Sequence, residues 1–427
     1  MYSRKGAGVR RDWKRTAVSG FGTERRFGGW KSGILVTLED HLVRCPNFSL
    51  RPLNKTRAHP SSDSPVPSDG VSRIRGLDGL RAVAVALVLL GHFSPLFQDP
   101  HLIRLGKFGV EIFFVLSGFL ITHLLLVEQR LHVAVSVRRF WLRRALRILP
   151  ALTCYLILLA ALAAMGVFPI PVVDLASSAL FVRNFLGESN ETGHLWTLAI
   201  EEQFYFVWPL FLLWVRAPRW RIGLTVAFVL SAPLWLHWNL IRFGADQVNT
   251  WRTDLRVQPL LIGAVLALVS DSEKGRRWLR RPGLFGPVSM VSAATFLVVM
   301  LSTKWLDRPW VRVGVPTAGY VCCAWILQGL VSCPEGGVVR FLESAPIAAI
   351  GRLSFSLYLW QQPFAPYAGQ WAPRWFREFP ANLLFAFSLA VASHWLVERP
   401  FLSLRSRLRP GVPGRQGGGT ATTSPVR

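Results

Sequence analysis

Leu80-Arg-Ala-Val-Ala-Val-Ala-Leu-Val-Leu-Leu-Gly-His-Phe93 is apolar apart from two side chains, an arginine and a histidine. Carried on to residue 98, the run has the length a helix needs to cross a bilayer, roughly 20 residues. An ionisable group inside such a span is costly, so each is a functional candidate. Arg81 and His92 stand eleven positions apart. At about 100° per residue that is three turns, so both leave the same face, about 16 Å apart along the axis.

Apolar segments of this kind recur. Spans are expected at 80–98, 108–127, 148–168, 197–215, 222–239, 254–270, 284–302, 313–331, 346–366 and 380–397. Ten spans with short connections read as an all-α integral membrane bundle, because a helix satisfies its own backbone in lipid. The composition agrees. Of 427 residues, 51% are hydrophobic and 17% charged, against roughly 25% charged in soluble domains. Those values exclude a disordered or collagen-like chain and argue against an ordinary soluble enzyme.

The formal net charge of +25 points first to nucleic acid. Its distribution points to the membrane instead. Connections on the side of the N-terminus hold 21 Lys and Arg, those on the other side 10. That bias places both termini in the cytoplasm. The 18 tryptophans suit membrane–water interfaces. Arg outnumbers Lys by 42 to 7, which we read as genome composition rather than a binding device. The cysteines, Cys45, Cys154, Cys322, Cys323 and Cys333, have no metal spacing and read as reduced. Residues 1–72 read as a basic, disordered N-terminal tail, 73–402 as the membrane domain and 403–427 as a disordered C-terminal tail.

Several polar groups enter the spans. Phe113 to Thr122 carries Ser117-Gly118, a pair that lets another helix approach closely. Glu111 stands at that span's entrance. After the second span, Arg138-Arg-Phe-Trp-Leu-Arg-Arg-Ala-Leu-Arg-Ile-Leu-Pro150 puts Arg144 and Arg147 on one helix face, with Arg143 beside them. Guanidinium forks suit phosphate oxygens, whether of a ligand or of lipid. The fourth span opens Gly193-His-Leu-Trp-Thr-Leu-Ala-Ile-Glu-Glu-Gln-Phe-Tyr205. Adjacent Glu201 and Glu202, followed by Gln203 and Tyr205 and preceded by His194, are hard to explain by packing. Asp254 and Arg256 open the sixth span and pair with each other or with a substrate. Glu398-Arg399 beside Pro400 is a helix-end anchor. No GxSxG, phosphate-binding loop, dinucleotide fingerprint, HExxH or CxxC pattern is present.

These segments, in this order, resemble the membrane-bound acyltransferase-3 family of bacterial O-acyltransferases. The matching pieces are Arg73 to Ala82, the Arg81…His92 spacing, Phe113 to Thr122, Arg143 to Pro150, Leu195 to Pro209, Asp254 to Ala267, Gly351 to Pro363 and Glu398-Arg-Pro400. The resemblance implies a ten-span core in the inner (cytoplasmic) membrane. It implies transfer of an acyl group, usually acetyl, from cytoplasmic acyl-CoA to a hydroxyl of a cell-surface glycan, lipid-linked sugar or glycosylated metabolite. Acyl-CoA is then a co-substrate, with no permanently bound cofactor, no metal and no nucleic-acid partner. Arg81, Arg144 and Arg147 are expected to bind acyl-CoA. His92, Glu201 and Glu202 are expected to be catalytic, and Gln203, Tyr205, Asp254 and Arg256 to bind substrate. One departure is clear: where the family often has Leu-Trp-His, this chain has Leu359-Trp-Gln361, and Phe355 replaces a tyrosine.

On this reading the arginines hold the anionic head of CoA and its thin arm runs up between spans. The thioester then meets His92, acting as general base or transient acyl carrier, with Glu201 or Glu202 orienting His92 or binding the acceptor. A rival from another class is a transporter or flippase of a lipid-linked substrate, which would show paired half-repeats with broken helices. None is found. A third reading is a non-catalytic sensor or scaffold whose basic tail binds anionic lipid.

Overall fold

A computed structural model of the chain describes residues 74–93, 100–131, 136–167, 169–244, 246–279, 281, 309–365 and 374–407. The expected tail over 1–72 and the expected span over 284–302 lie outside these residues. All regular structure among the described residues is helical.

The first helix, α1, runs Leu77–Phe93, with Asp78 in its first turn, where a carboxylate suits the exposed N–H groups. The chain continues through α2 (Pro100–Leu131) and α3 (Val137–Ala164). Ser136 caps α3, its hydroxyl accepting the Arg139 N–H at 3.3 Å. Two short helices, α4 (Val172–Ala179) and α5 (Asn190–Gly193), lead into α6 (Leu195–Trp214). Then come α7 (Pro218–Phe243), α8 (Thr253–Arg256), α9 (Gln258–Asp271), α10 (Glu273–Leu279), α11 (Pro309–Ser332), α12 (Gly337–Leu342) and α13 (Ala345–Trp360). The described chain closes with α14 (Arg374–Arg377), α15 (Ala381–Ser393), a π-helical turn over His394–Glu398 and α16 (Arg399–Arg407). The last helix thus extends five residues into the stretch expected as a tail.

Among the described residues, five stretches are long and apolar enough to cross a membrane: Leu102–Leu131, Val137–Ala164, Pro218–Phe243, Gly314–Ser332 and Ala381–Leu404. Large apolar side chains on α7 face outward, with Leu230, Leu234 and Ile241 each at least 65% exposed. In water such a surface would be a liability; in lipid it is the expected exterior. The chain is a helical membrane protein.

Two expected spans have a different local form. The stretch 254–270 is broken into α8 and α9. Pro259 has no N–H to bond to a preceding turn, but it fits the first turn of a new helix. The stretch 346–366 is helical to Trp360 and then tightens into a 3-10 turn, Gln362–Phe364, around Pro363. Cys154, Cys322 and Cys323 are free. Cys333, expected to be reduced, is disulfide-bonded; an odd count of cysteines hides a single bridge from sequence spacing.

Small residues set the packing. A methyl group at Gly118 of α2 would collide with the Leu260 backbone of α9, and one at Gly263 of α9 with the Val115 backbone of α2. The two helices therefore touch backbone to backbone, as the Ser117-Gly118 pair predicts. Around that contact one buried cluster gathers Leu80, Ile112, Val115, Leu116, Phe119, Ile262, Leu266 and Leu327. Another gathers Val85, Ile148, Leu152, Tyr155, Leu159, Leu357 and Trp360 from α1, α3 and α13. Polar ties fix the ends: Arg130 of α2 pairs with Asp271 of α9, and the Gly76 N–H donates to Glu343, just before α13, at 2.7 Å. Both helix pairs, α2 with α9 and α1 with α13, run in the same direction.

Candidate active site

Between the two clusters lies a cavity of about 100 Å³. Its polar lining is Arg81, Ser117, Arg144, Arg147, Thr197, Glu201, Ser354 and Tyr358; Phe113, Phe114, Leu120, Ile121, Ile148 and Leu359 supply apolar wall. Three helices deliver the charged groups: α1 brings Arg81, α3 brings Arg144 and Arg147, and α6 brings Glu201; α2 adds the hydroxyl of Ser117.

Each side chain is held in place locally. Arg81 pairs with Asp78 one turn earlier at 2.8 Å. The three-residue spacing on α3 keeps Arg144 and Arg147 on the cavity side. Arg143 does not join them: it turns to Glu128 of α2 at 2.7 Å. The Arg144 guanidinium lies 3.9 Å above the Tyr205 ring, with Glu201 and Glu202 as its charge neighbours. The Ser117 hydroxyl donates to Glu201 Oε1 at 2.8 Å. A cation flanked by two carboxylates in a low-dielectric bundle holds both in place. Ser117 does more than permit packing, and only its polarity in an otherwise apolar run marked it.

His92 stands beyond the lining, at the far end of α1 from Arg81. Its Nδ1 is 3.0 Å from Gln361 Oε1, and Gln361 is fully buried. Gln361, not a glutamate, therefore faces His92 Nδ1; neither Glu201 nor Glu202 takes that place. Gln361 occupies the position where the sequence departs from its family pattern. Its neighbour Gln362 donates to the Asn190 carbonyl at 2.7 Å, which fixes the turn.

Next to His92 is His194, whose side chain sequence reading singled out without a role. Both imidazoles meet the end of α13, His92 at Gln361 and His194 at Leu359. His194 Nε2 lies 3.1 Å from the Leu359 carbonyl, and its ring meets Tyr155 edge-on at 5.6 Å and Tyr358 at 5.5 Å. The Tyr358 hydroxyl donates to the His194 carbonyl at 2.9 Å and lies 2.6 Å from the Thr197 hydroxyl. Tyr358, Thr197 and Leu359 thus join the cavity wall to the two histidines.

The other expected site residues lie elsewhere. Gln203 Nε2 donates to the Phe181 carbonyl at 2.7 Å and to Asn184 Oδ1 at 3.0 Å, and its Oε1 accepts from Thr253. It latches α6 to the preceding loop and to α8. Glu202 and Tyr205 are behind the cavity wall, under Arg144. Asp254 pairs with Arg252 at 2.7 Å and accepts the Trp235 indole N–H at 2.7 Å. Arg256 donates to the Thr250 carbonyl at 3.0 Å and neighbours Glu111 and Tyr320. Asp254 and Arg256 do not pair with each other, and neither lines the cavity.

The loop that delivers His194 is knotted by charge. Fully buried Asp174 accepts the Glu188 N–H at 3.1 Å and the Ser189 N–H at 2.7 Å. Arg183 donates to the carbonyls of Leu186, Gly187 and Ser189 and to the Thr192 hydroxyl. Burial raises the Asp174 carboxyl, but the bonds from Ser189 and Glu188 and the Arg183 charge outweigh it, and the group lies below the usual carboxylate value.

The chain has relatives among known proteins. The chain is 30% identical over 313 residues to a Bacillus subtilis (strain 168) protein named "Putative peptidoglycan O-acetyltransferase YrhL", covering 68% of this chain and 48% of that one. It is 28% identical over 319 residues to the peptidoglycan O-acetyltransferase OatA of Listeria monocytogenes serovar 1/2a, covering 68% and 49%. The chain therefore spans about half the length of these relatives. No solved structure matches it. The acyltransferase-3 family model, described as an acyltransferase domain, matches residues 74–399, which includes every cavity residue and both histidines. The chain belongs to the acyltransferase-3 family.

Proposed function

We propose that the protein is an integral membrane O-acyltransferase. It moves an acyl group, acetyl in the simplest case, from acyl-CoA to a hydroxyl of a cell-surface glycan, lipid-linked sugar or glycosylated metabolite. The observation that carries this reading is the cavity itself. Arg81, Arg144 and Arg147 surround it, and residues at one part of its wall, Thr197, Tyr358 and Leu359, lead to His92 and His194. Cations suit the phosphates of CoA, apolar walls suit the pantetheine arm, and an imidazole suits proton transfer.

The step is a direct transfer. The acceptor hydroxyl oxygen attacks the thioester carbonyl carbon while His92 takes the hydroxyl proton. The carbon–sulfur bond then breaks, and the departing thiolate recovers the proton from His92. Glu201, held by Ser117, balances and positions Arg144. The names of the two relatives put peptidoglycan first among acceptor classes.

The ten-span reading, both termini cytoplasmic and the inner membrane as location belong to the same proposal. The arginine and lysine bias supports the orientation, and the matched directions of α1 with α13 and α2 with α9 suit alternating spans.

The test is transfer of radiolabelled acetyl from acetyl-CoA in membranes holding the wild type or His92→Ala. Label should reach an extractable acceptor only with the wild type. Equal transfer by a well-inserted His92→Ala protein would refute the role of His92. No transfer by the wild type across a panel of acyl donors would favour the transporter reading.

A further inference from the structure

The strongest unassigned feature is the side chain of His194. It is 95% buried, yet one of its ring nitrogens is unexplained. Nε2 faces the Leu359 carbonyl at 3.1 Å. A carbonyl only accepts, so Nε2 carries the hydrogen. Nδ1 therefore carries a lone pair. That nitrogen is shut off from solvent and has no hydrogen-bond partner among the described residues. A buried acceptor left without a donor is costly, and such groups in native structures call for an explanation.

Packing alone does not supply one. The bond to Leu359 uses Nε2 alone, and the contacts with Tyr155 and Tyr358 need only a ring, so neither accounts for the nitrogen at Nδ1. The surroundings point to a ligand instead. Tyr358 and Leu359 touch His194 and also line the cavity. His92 meets the same helix end two residues on, at Gln361. The Asp174–Arg183 knot and the Tyr358 hydroxyl both fix the backbone that carries it.

We propose that His194 is a substrate-binding residue of the reaction centre, its Nδ1 accepting a hydrogen bond from a substrate O–H or N–H beside His92. This rests on the acyltransferase reading. Two donors have the right chemistry, a hydroxyl of the acceptor and an amide N–H of the pantetheine arm. The Leu359 carbonyl is the positioning group: by taking the Nε2 hydrogen it leaves the lone pair on the nitrogen that meets substrate.

Two amide variants separate binding from structure. His194→Gln places an amide N–H where Nε2 was, so the bond to Leu359 survives while the Nδ1 acceptor is lost. His194→Asn places an amide oxygen near Nδ1 and drops the bond to Leu359. Acetyl transfer and thermal unfolding in detergent would be measured for both, with acceptor and acetyl-CoA varied in turn. His194→Gln is expected to keep the wild-type unfolding temperature and lose roughly tenfold or more in kcat/KM. His194→Asn is expected to unfold earlier and keep more of the activity. A rise in KM for the acceptor alone identifies the hydroxyl as donor; a rise for acetyl-CoA alone identifies the pantetheine amide. A stable His194→Gln protein with wild-type constants for both substrates overturns the proposal, as does activity that merely follows unfolding temperature in both variants. If the wild type transfers no acyl group at all, the acyltransferase reading fails first and this assignment falls with it.

Discussion

Arg144 and Arg147 sit one turn apart on the same helix, yet their surroundings ask different things of them. Arg144 lies over Tyr205 and between the charges of Glu201 and Glu202. Removing it leaves two carboxylates facing apolar walls. Arg144→Ala should therefore cost roughly 3 kcal/mol of stability, seen as earlier thermal unfolding in detergent. Arg147→Ala, on the cavity wall, should raise the KM for acetyl-CoA. An unchanged KM would place Arg147 outside the CoA site. Sequence spacing put the two arginines on a common face and so made the pair legible. It gave no sign that the carboxylates about two turns into another helix would claim one of them. That contact joins residues nearly sixty positions apart, and no local pattern encodes it. For the same reason Gln361 was visible only as a departure, and its partnership with His92 was not.

At the scale of elements, most helices follow from apolar length, and the exceptions follow from proline. Pro259 starts a new helix where a single span was expected, and Pro363 turns the end of α13 into a 3-10 coil that sets Gln361 and Gln362 in place. The loop between α4 and α6 was legible only as a connection. Its order comes from Asp174, Arg183 and the carbonyls they gather, a three-dimensional closure with no periodic signature. The carboxyl of Asp174 has a lower pKa folded than unfolded, so its contribution to stability is complete above the unfolded value near 4. It is lost as pH falls through the lower folded value. Hydrogen exchange of the 183–194 backbone should therefore stay slow from neutral pH to about pH 5 and quicken at more acid pH, after correction for intrinsic rates. In Asp174→Asn exchange should be fast throughout, reflecting about 2 kcal/mol of lost charge-assisted bonding. Equal protection in both proteins would show that the loop is held by other contacts.

For the molecule as a whole, membrane character and family were legible because hydropathy and motif order act over hundreds of residues. The convergence of α1, α2, α3 and α6 on one cavity was not, since helix order does not state which helices touch. Orientation is open to direct measurement. In a cysteine-free background, Val172→Cys, at the exposed first residue of α4, should react with an impermeant thiol reagent in intact cells. Glu273→Cys, exposed on α10, should react only after the membrane is opened. The reverse pattern would place both termini outside.

The close contact of α2 with α9 bears on how anything crosses this bundle. A rocking transporter needs an interface that slides, with side chains able to re-register as one half tilts against the other. At Gly118 and Gly263 there are no side chains to re-register; backbone meets backbone, and Gly351 meets the Asp78 backbone of α1 in the same way. These helices form a seized joint. A methyl group at either Gly118 or Gly263 would wedge that joint open.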